Sequence, residues 1–193
     1  MVTELRIYFE GDTRLRPGFH KFLSQIVQGA RARQCRADLI ATGSTPVADF
    51  HAALTAHPDA FNALLLDSDG PIDGSLANLC RSKKLEPTHE GLVFWMVQLM
   101  ESWFLPHIDG LKAIYGKGFQ EAVLKGNPNV EEIHKADVLS RLKKATKDTK
   151  RGEYHKTKHA PYILAAIDVS LVRSAAPNCE RMFRIILERL AEN

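Results

Sequence analysis

Acidic residues stand at two places in the chain where a β-strand would end. The stretch NALLLDSDGP (62–71) runs three leucines into Asp67 and Asp69 and stops at Gly70-Pro71, and ELRIYFEG (4–11) ends in Glu10-Gly11. A continuous apolar run bounded by turn residues reads as a strand covered on both faces, here Ala63 to Leu66. Asp67 then falls at the carboxyl end of a strand, where open α/β sheets place their ligand sites. Two carboxylates leaving a sheet on one side suit a hard cation such as magnesium. The competing reading is ordinary turn chemistry, since Asp and Ser bond their own backbone and Gly and Pro end strands.

The elements around these acids decide whether they meet. The strand 4–11 is followed by a helix opened by Pro17, with Phe19, Phe22, Leu23, Ile26 and Val27 as its buried stripe. ADLIATGS (37–44) is a second strand, and Pro46 opens a second helix to about His57 with Val47, Phe50, Ala53 and Leu54 inward. Strand, helix, strand, helix, strand at this spacing predicts a parallel sheet with right-handed crossovers, so Glu10, Gly43 and Asp67 share one edge.

Residues 71–86 read as irregular or partly helical. In the apolar stretch that follows, length divides a fourth strand, about Leu92 to Val97, from a helix starting near Leu99 that contains Glu101. Pro106 breaks that helix, and a further turn carries Leu111, Ile114 and Tyr115. Helices are expected over Lys135 to Lys147, Pro161 to Ile167 and Asn178 to Leu190. The whole is read as one domain over 1–193, with a sheet core in 1–115 and a mainly helical, basic extension in 116–193.

With 45% apolar and 25% charged residues, the composition is that of a soluble globular protein. No apolar run reaches the roughly 18 residues of a membrane span. Glu4 and Arg6 interrupt any export signal, so no membrane association and a cytoplasmic location are expected. Cys35, Cys80 and Cys179 lack disulfide or zinc spacing and read as buried or incidental thiols. The net charge of +3 is unevenly spread: His134 to Ala160 holds nine Lys or Arg against three Asp or Glu, a balance of +6 that leaves −3 for the rest. Such a segment is the electrostatic footprint of a phosphate-rich partner, or else a solvated helix face.

The order Glu10…Asp67-x-Asp69 resembles the signature of the Toprim domain found in primases, type IA and II topoisomerases and overcoming-lysogenization-defect nucleases. More specifically, MVQLMESWFL (96–105), NPNVEEIHKADV (127–138) and GEYHKTKHAPYIL (152–164) are similar to the Toprim-like family known as domain of unknown function 4276. That resemblance runs over nearly the whole chain. It implies a Toprim-like α/β fold, Asp67 and Asp69 as ligands of Mg2+ or Mn2+, and Glu10 as a third ligand or the general acid/base. It also implies a nuclease-like effector of phage defence with a partner ATPase. The chain departs from the family pattern at His107, where an acidic residue is usual, and at Asp69, where Glu is more frequent.

The chemistry of the residues agrees with that expectation. Phosphodiester cleavage needs charge neutralised on attacking and leaving oxygens, which carboxylate-held cations supply. Glu101, flanked by Met100, Ser102, Trp103 and Phe104, is a fourth candidate ligand, or else an exposed acid on an amphipathic helix. Lys156 or His159 would meet charge developing on the phosphate, the alternative being a solvated basic loop. Lys143, Lys144, Lys147 and Lys158 are the candidates for holding nucleic acid, DNA or RNA. Trp95 and Trp103 are expected in the core. The expected function is metal-dependent phosphodiester cleavage; the alternative is a non-catalytic regulatory or interaction subunit of an ATPase that retains the acidic site.

Overall fold

The structure, a computed structural model, describes residues 2–192. It is an α/β fold built on an all-parallel sheet of β1 (Glu4–Phe9), β2 (Arg36–Ala41), β3 (Phe61–Asp67) and β4 (Val93–Met96), in the order β2-β1-β3-β4. Among the described residues the α-helices are α1 (Arg16–Phe22), α2 (Ser24–Ala32), α3 (Pro46–Ala56), α4 (Leu76–Ser82), α5 (Ile108–Tyr115), α6 (Lys135–Thr146), α7 (Lys156–Ala166), α8 (Val169–Ala175) and α9 (Pro177–Ala191).

The period of two in a strand explains how the sheet divides the core. Ala63 and Leu65 of β3, with Leu5, Ile7 and Phe9 of β1 and Phe94 of β4, enter a large core with Phe19, Phe22, Leu142, Leu164 and Phe183 from the helices. Leu64 and Leu66, with Tyr8, Val93 and Trp95, point the other way into a smaller core closed by Phe50 and Ala53 of α3 and Cys80 of α4. All seven residues of β3 are buried, which is why its sequence shows no polar alternation. Trp95 and Trp103 are both buried, and Trp103 stacks on Phe22 with ring centroids 4.8 Å apart. The three cysteines are free and buried. Among the described residues no helix is long and apolar enough to cross a membrane.

This strand order creates the site. β1 pairs with both β2 and β3, but the chain leaves β1 through α1 and α2, whose side chains fill the large core, and leaves β3 through α4, which packs on the small one. Neighbouring strands whose connections depart on opposite faces leave a crevice at their carboxyl ends. Glu10 directly follows the first of those strands, and Asp67 ends the second.

Several expected elements have different bounds. The stripe from Phe19 to Val27 is carried by two helices, because the chain turns at Leu23 (φ −89°, ψ 15°) while keeping its apolar residues on one side. The helix expected from Leu99 is a 3-10 helix, Met100–Phe104, whose five residues are all buried. α7 starts at Lys156, not at Pro161, which lies inside the helix. The carbonyl that the proline leaves without an i+4 donor belongs to Thr157, an exposed residue of the first turn. α8 lies in a segment for which no element was expected.

At Gly18 of α1 the helix α7 packs closely. A Cβ there would stand 2.8 Å from both Leu164 Cβ and the Pro161 carbonyl oxygen. Gly18→Val should therefore lose about 1–3 kcal/mol by overpacking. Thermal denaturation should show a Tm lower by ~2–4 °C for each kcal/mol; an unchanged Tm would mean that α7 is not fixed against α1.

Candidate functional site

Glu10 follows β1 and extends its pairing, its backbone N–H donating to the Leu65 carbonyl at 3.0 Å. Its Oε2 accepts a hydrogen bond from the Asp67 backbone N–H at 3.2 Å, joining the ends of β1 and β3. Gly11 then turns the chain with φ +131°, a conformation that favours glycine, and a Cβ there would also press on Leu15 Cδ1 at 2.6 Å. Gly11 also accepts a hydrogen bond from the Gly43 N–H at 3.0 Å, which brings the end of β2 to the same edge, as the strand pattern predicts.

Asp67 is 8% exposed. Its Oδ1 accepts a hydrogen bond from the Met100 N–H at 2.7 Å, and its Oδ2 lies 3.7 Å from Lys156 Nζ. The same ammonium lies 3.6 Å from Glu101 Oε2. Glu101 is 1% exposed; the tight, buried 3-10 turn after β4 carries it to the site. Its Oε1 accepts a hydrogen bond from the Tyr154 hydroxyl at 3.0 Å, while its Oε2 has no hydrogen-bond donor within the described protein.

The electrostatics follow from the count. Glu10, Asp67 and Glu101 can carry three negative charges where Lys156 supplies one positive. Burial pushes the Asp67 carboxyl up to about 7; Lys156 opposes the shift, and the charges of Glu10 and Glu101 add to it. For Lys156, burial works to lower the pKa, but Glu101, Asp67 and Glu10 together push it up, so the ammonium stays charged. Its side chain is 48% exposed, so solvent reaches the head from one side. Burial, with the charge and hydrogen bond of Glu101, holds the Tyr154 hydroxyl far above its usual range, as a protonated donor.

The other sequence candidates lie around this cluster in different ways. Asp69 does not share the Asp67–Lys156–Glu101 arrangement. Its backbone adopts φ +62°, which ends the strand alternation, and its carboxylate pairs with Lys83 and, at 3.9 Å, with Lys135. His159 makes no direct contact with the carboxylates. Its Nδ1 faces the Tyr115 hydroxyl at 3.0 Å and accepts a hydrogen bond from the N–H of His155, the residue that opens α7, at 3.2 Å. Burial, then the charges of His155, Arg151 and Lys158, lower its pKa. His159 is thus a neutral cap that fixes the turn presenting Lys156. His107 also stands apart, its Nδ1 accepting from the Asp168 N–H at 3.0 Å at the start of α8. Lys143 faces Glu153 at 3.4 Å, whereas Lys144, Lys147 and Lys158 are exposed without an ion pair among the described residues.

Tyr154 was not among the sequence candidates for the site. Its position two residues before Lys156 was the available signal, but the tie to Glu101 spans 53 residues and depends on the fold. Thr146 supports it by accepting the Tyr154 backbone N–H at 2.7 Å.

The profile of a family described as domain of unknown function (DUF4276) matches residues 12–187. The chain belongs to the DUF4276 family. No curated protein and no solved structure matches it. In this DUF4276 chain the matched region takes in Asp67, Glu101, Tyr154 and Lys156, while Glu10 lies just before it.

These residues suit a hard divalent cation by three observations. The donor set is oxygen only, negative charge exceeds positive, and a buried carboxylate oxygen lacks a hydrogen bond. Among the described residues no three His, Cys, Asp or Glu side chains form a preformed cage. Magnesium does not need one, since it keeps several waters and takes one or two carboxylates plus substrate phosphate.

The Asp67 shift also makes a stability prediction in chelated, metal-free buffer. A carboxyl at 3.8 unfolded and about 7 folded contributes stability that is complete below pH 3.8 and is lost as pH rises through about 7. Asp67→Asn removes that loss. Its stability relative to wild type should grow across this window, on the order of 1.4 kcal/mol per pH unit at most. Urea melts at acid and alkaline pH measure it; an equal difference at both would contradict the buried, proton-linked carboxyl.

Proposed function

We propose that this DUF4276 chain is a magnesium- or manganese-dependent phosphodiesterase acting on nucleic acid. The observation that carries the reading is the pair of buried carboxylates, Asp67 and Glu101, sharing one ammonium at the switch point of a parallel sheet. A structural role needs no such arrangement, because three acids beside one lysine oppose each other's ionisation. The Glu10…Asp67-x-Asp69 order, which resembles the Toprim signature, supports the same reading.

Asp67 and Glu101 would hold the cation, which when bound would neutralise charge on the phosphate oxygens. Asp67 is positioned by the Met100 N–H and Glu101 by the Tyr154 hydroxyl, so each keeps one oxygen directed at the Lys156 side. Glu10 uses Oε2 to hold the end of β3, and its Oε1, which makes no hydrogen bond within the described protein, is the atom suited to accept a proton. With a cation on its carboxylates, Lys156 would be released toward a substrate phosphate, where its ammonium would meet the charge that develops in the transition state.

A second reading is favoured by Asp69. Held by Lys83 and Lys135, it leaves the site one acid short of its motif, as in a regulatory subunit that senses a cation without cleaving.

The experiment uses single- and double-stranded DNA and RNA with magnesium and with manganese. Cleavage is expected from wild type, none from Asp67→Asn, and a rate lower by on the order of a hundredfold from Lys156→Ala, the loss typical of a preorganised donor. A wild type that binds manganese yet cleaves none of the four polymers would replace the phosphodiesterase with the regulatory subunit.

A further inference from the structure

α7 presents Lys156 to the carboxylates from its first turn, and a different face of the same helix borders an open groove of roughly 550 Å³. Its floor and walls are Tyr162, Pro161 and Lys158 from α7 with Arg14 and Pro17 from the segment that opens α1. Tyr162 is 63% exposed, the most exposed large hydrophobic side chain among the described residues. Lys158 precedes it by four residues and therefore shares its face. Ala165, three residues on, is too small to cover the ring. Arg14 forms a two-point pair with Asp12, at 2.7 and 3.0 Å, and its side chain stays solvent-exposed at the rim of the groove.

We infer that this groove is a track for single-stranded nucleic acid, in which an unpaired base stacks on Tyr162 while Lys158 and Arg14 hold the flanking phosphates. The inference rests on the reading of the Asp67–Glu101 site as a phosphodiesterase for nucleic acid and adds the strandedness of its substrate. An aromatic face beside cations is the sequence-tolerant way to hold a single strand, and a base inside a duplex has no free face to offer. Six residues of helix separate Lys156 from Tyr162, about 9 Å along the axis and roughly 120° around it. At the ~3.4 Å per phosphate of a stacked strand, the path around the helix from a phosphate at Lys156 to a base over Tyr162 takes at least about three nucleotides. Lys156 and Lys158 belong to the segment 134–160, whose balance of +6 attracts a polyanion.

Equilibrium binding of labelled oligonucleotides, in calcium without magnesium or manganese, tests the track apart from cleavage. Tyr162→Ala should weaken single-stranded DNA and RNA by on the order of tenfold. Tyr162→Trp should retain binding, and an abasic strand should be indifferent to either change. Lys158→Ala should flatten the salt dependence; the polymer bound more tightly identifies the natural strand. The track is overturned if Tyr162→Ala binds like wild type, if duplex loses as much as single strand, or if the substitution changes only the sedimentation of the protein, which would assign the groove to a second copy. Loss of single-strand binding in a protein that cleaves nothing would uphold the track and overturn the phosphodiesterase. Cleavage with binding unaffected by Tyr162→Ala would do the reverse.

Discussion

The arrangement turns on one ammonium shared between two buried carboxylates. Lys156 stands within 3.7 Å of Asp67 and 3.6 Å of Glu101, and it offsets only part of the negative charge gathered there. Burial, against the pull of Lys156 and with the charges of Glu10 and Glu101 added, pushes the Asp67 carboxyl up to about 7. The cation proposed above would relieve that crowding of acids, since a positive charge between carboxylates favours their ionised forms.

The rest of the fold serves that pairing. β1 and β3 supply Glu10 and Asp67 from adjacent strand ends, and the buried 3-10 turn after β4 supplies Glu101. The C-terminal half closes the arrangement from above the edge. Tyr154 ties down Glu101, His159 caps the turn that offers Lys156, and Lys135 at the start of α6 reaches Asp69. Close packing of α7 on Gly18 ties the helix that carries Lys156 to the helix that leaves β1. The basic segment therefore supplies Lys156 to the acidic site and leaves Lys144, Lys147 and Lys158 exposed.

Much of this was legible in the sequence because it rests on local pattern. The apolar run ending in Asp67 is a fully buried strand, and Glu10-Gly11 does leave β1 at the same edge. What was not legible depends on backbone angles or on long-range contact. The left-handed conformation at Asp69 sends that carboxylate to Lys83 and Lys135, and no spacing rule anticipates it. The residues around Glu101 suit a ligand and an exposed helical acid equally; a 3-10 turn with all residues buried places it inside. His159 and Lys156 stand three residues apart, yet one caps the helix and the other enters the site, since the first turn of α7 begins five residues before the proline that seemed to open it.

The most direct test is a crystal soaked in manganese and examined by anomalous diffraction. A peak about 2.1 Å from Asp67 Oδ2 and Glu101 Oε2, with Lys156 Nζ displaced from both, is the predicted result. A site with no peak and Lys156 still between the two carboxylates, or a peak at Asp69 alone, would contradict it.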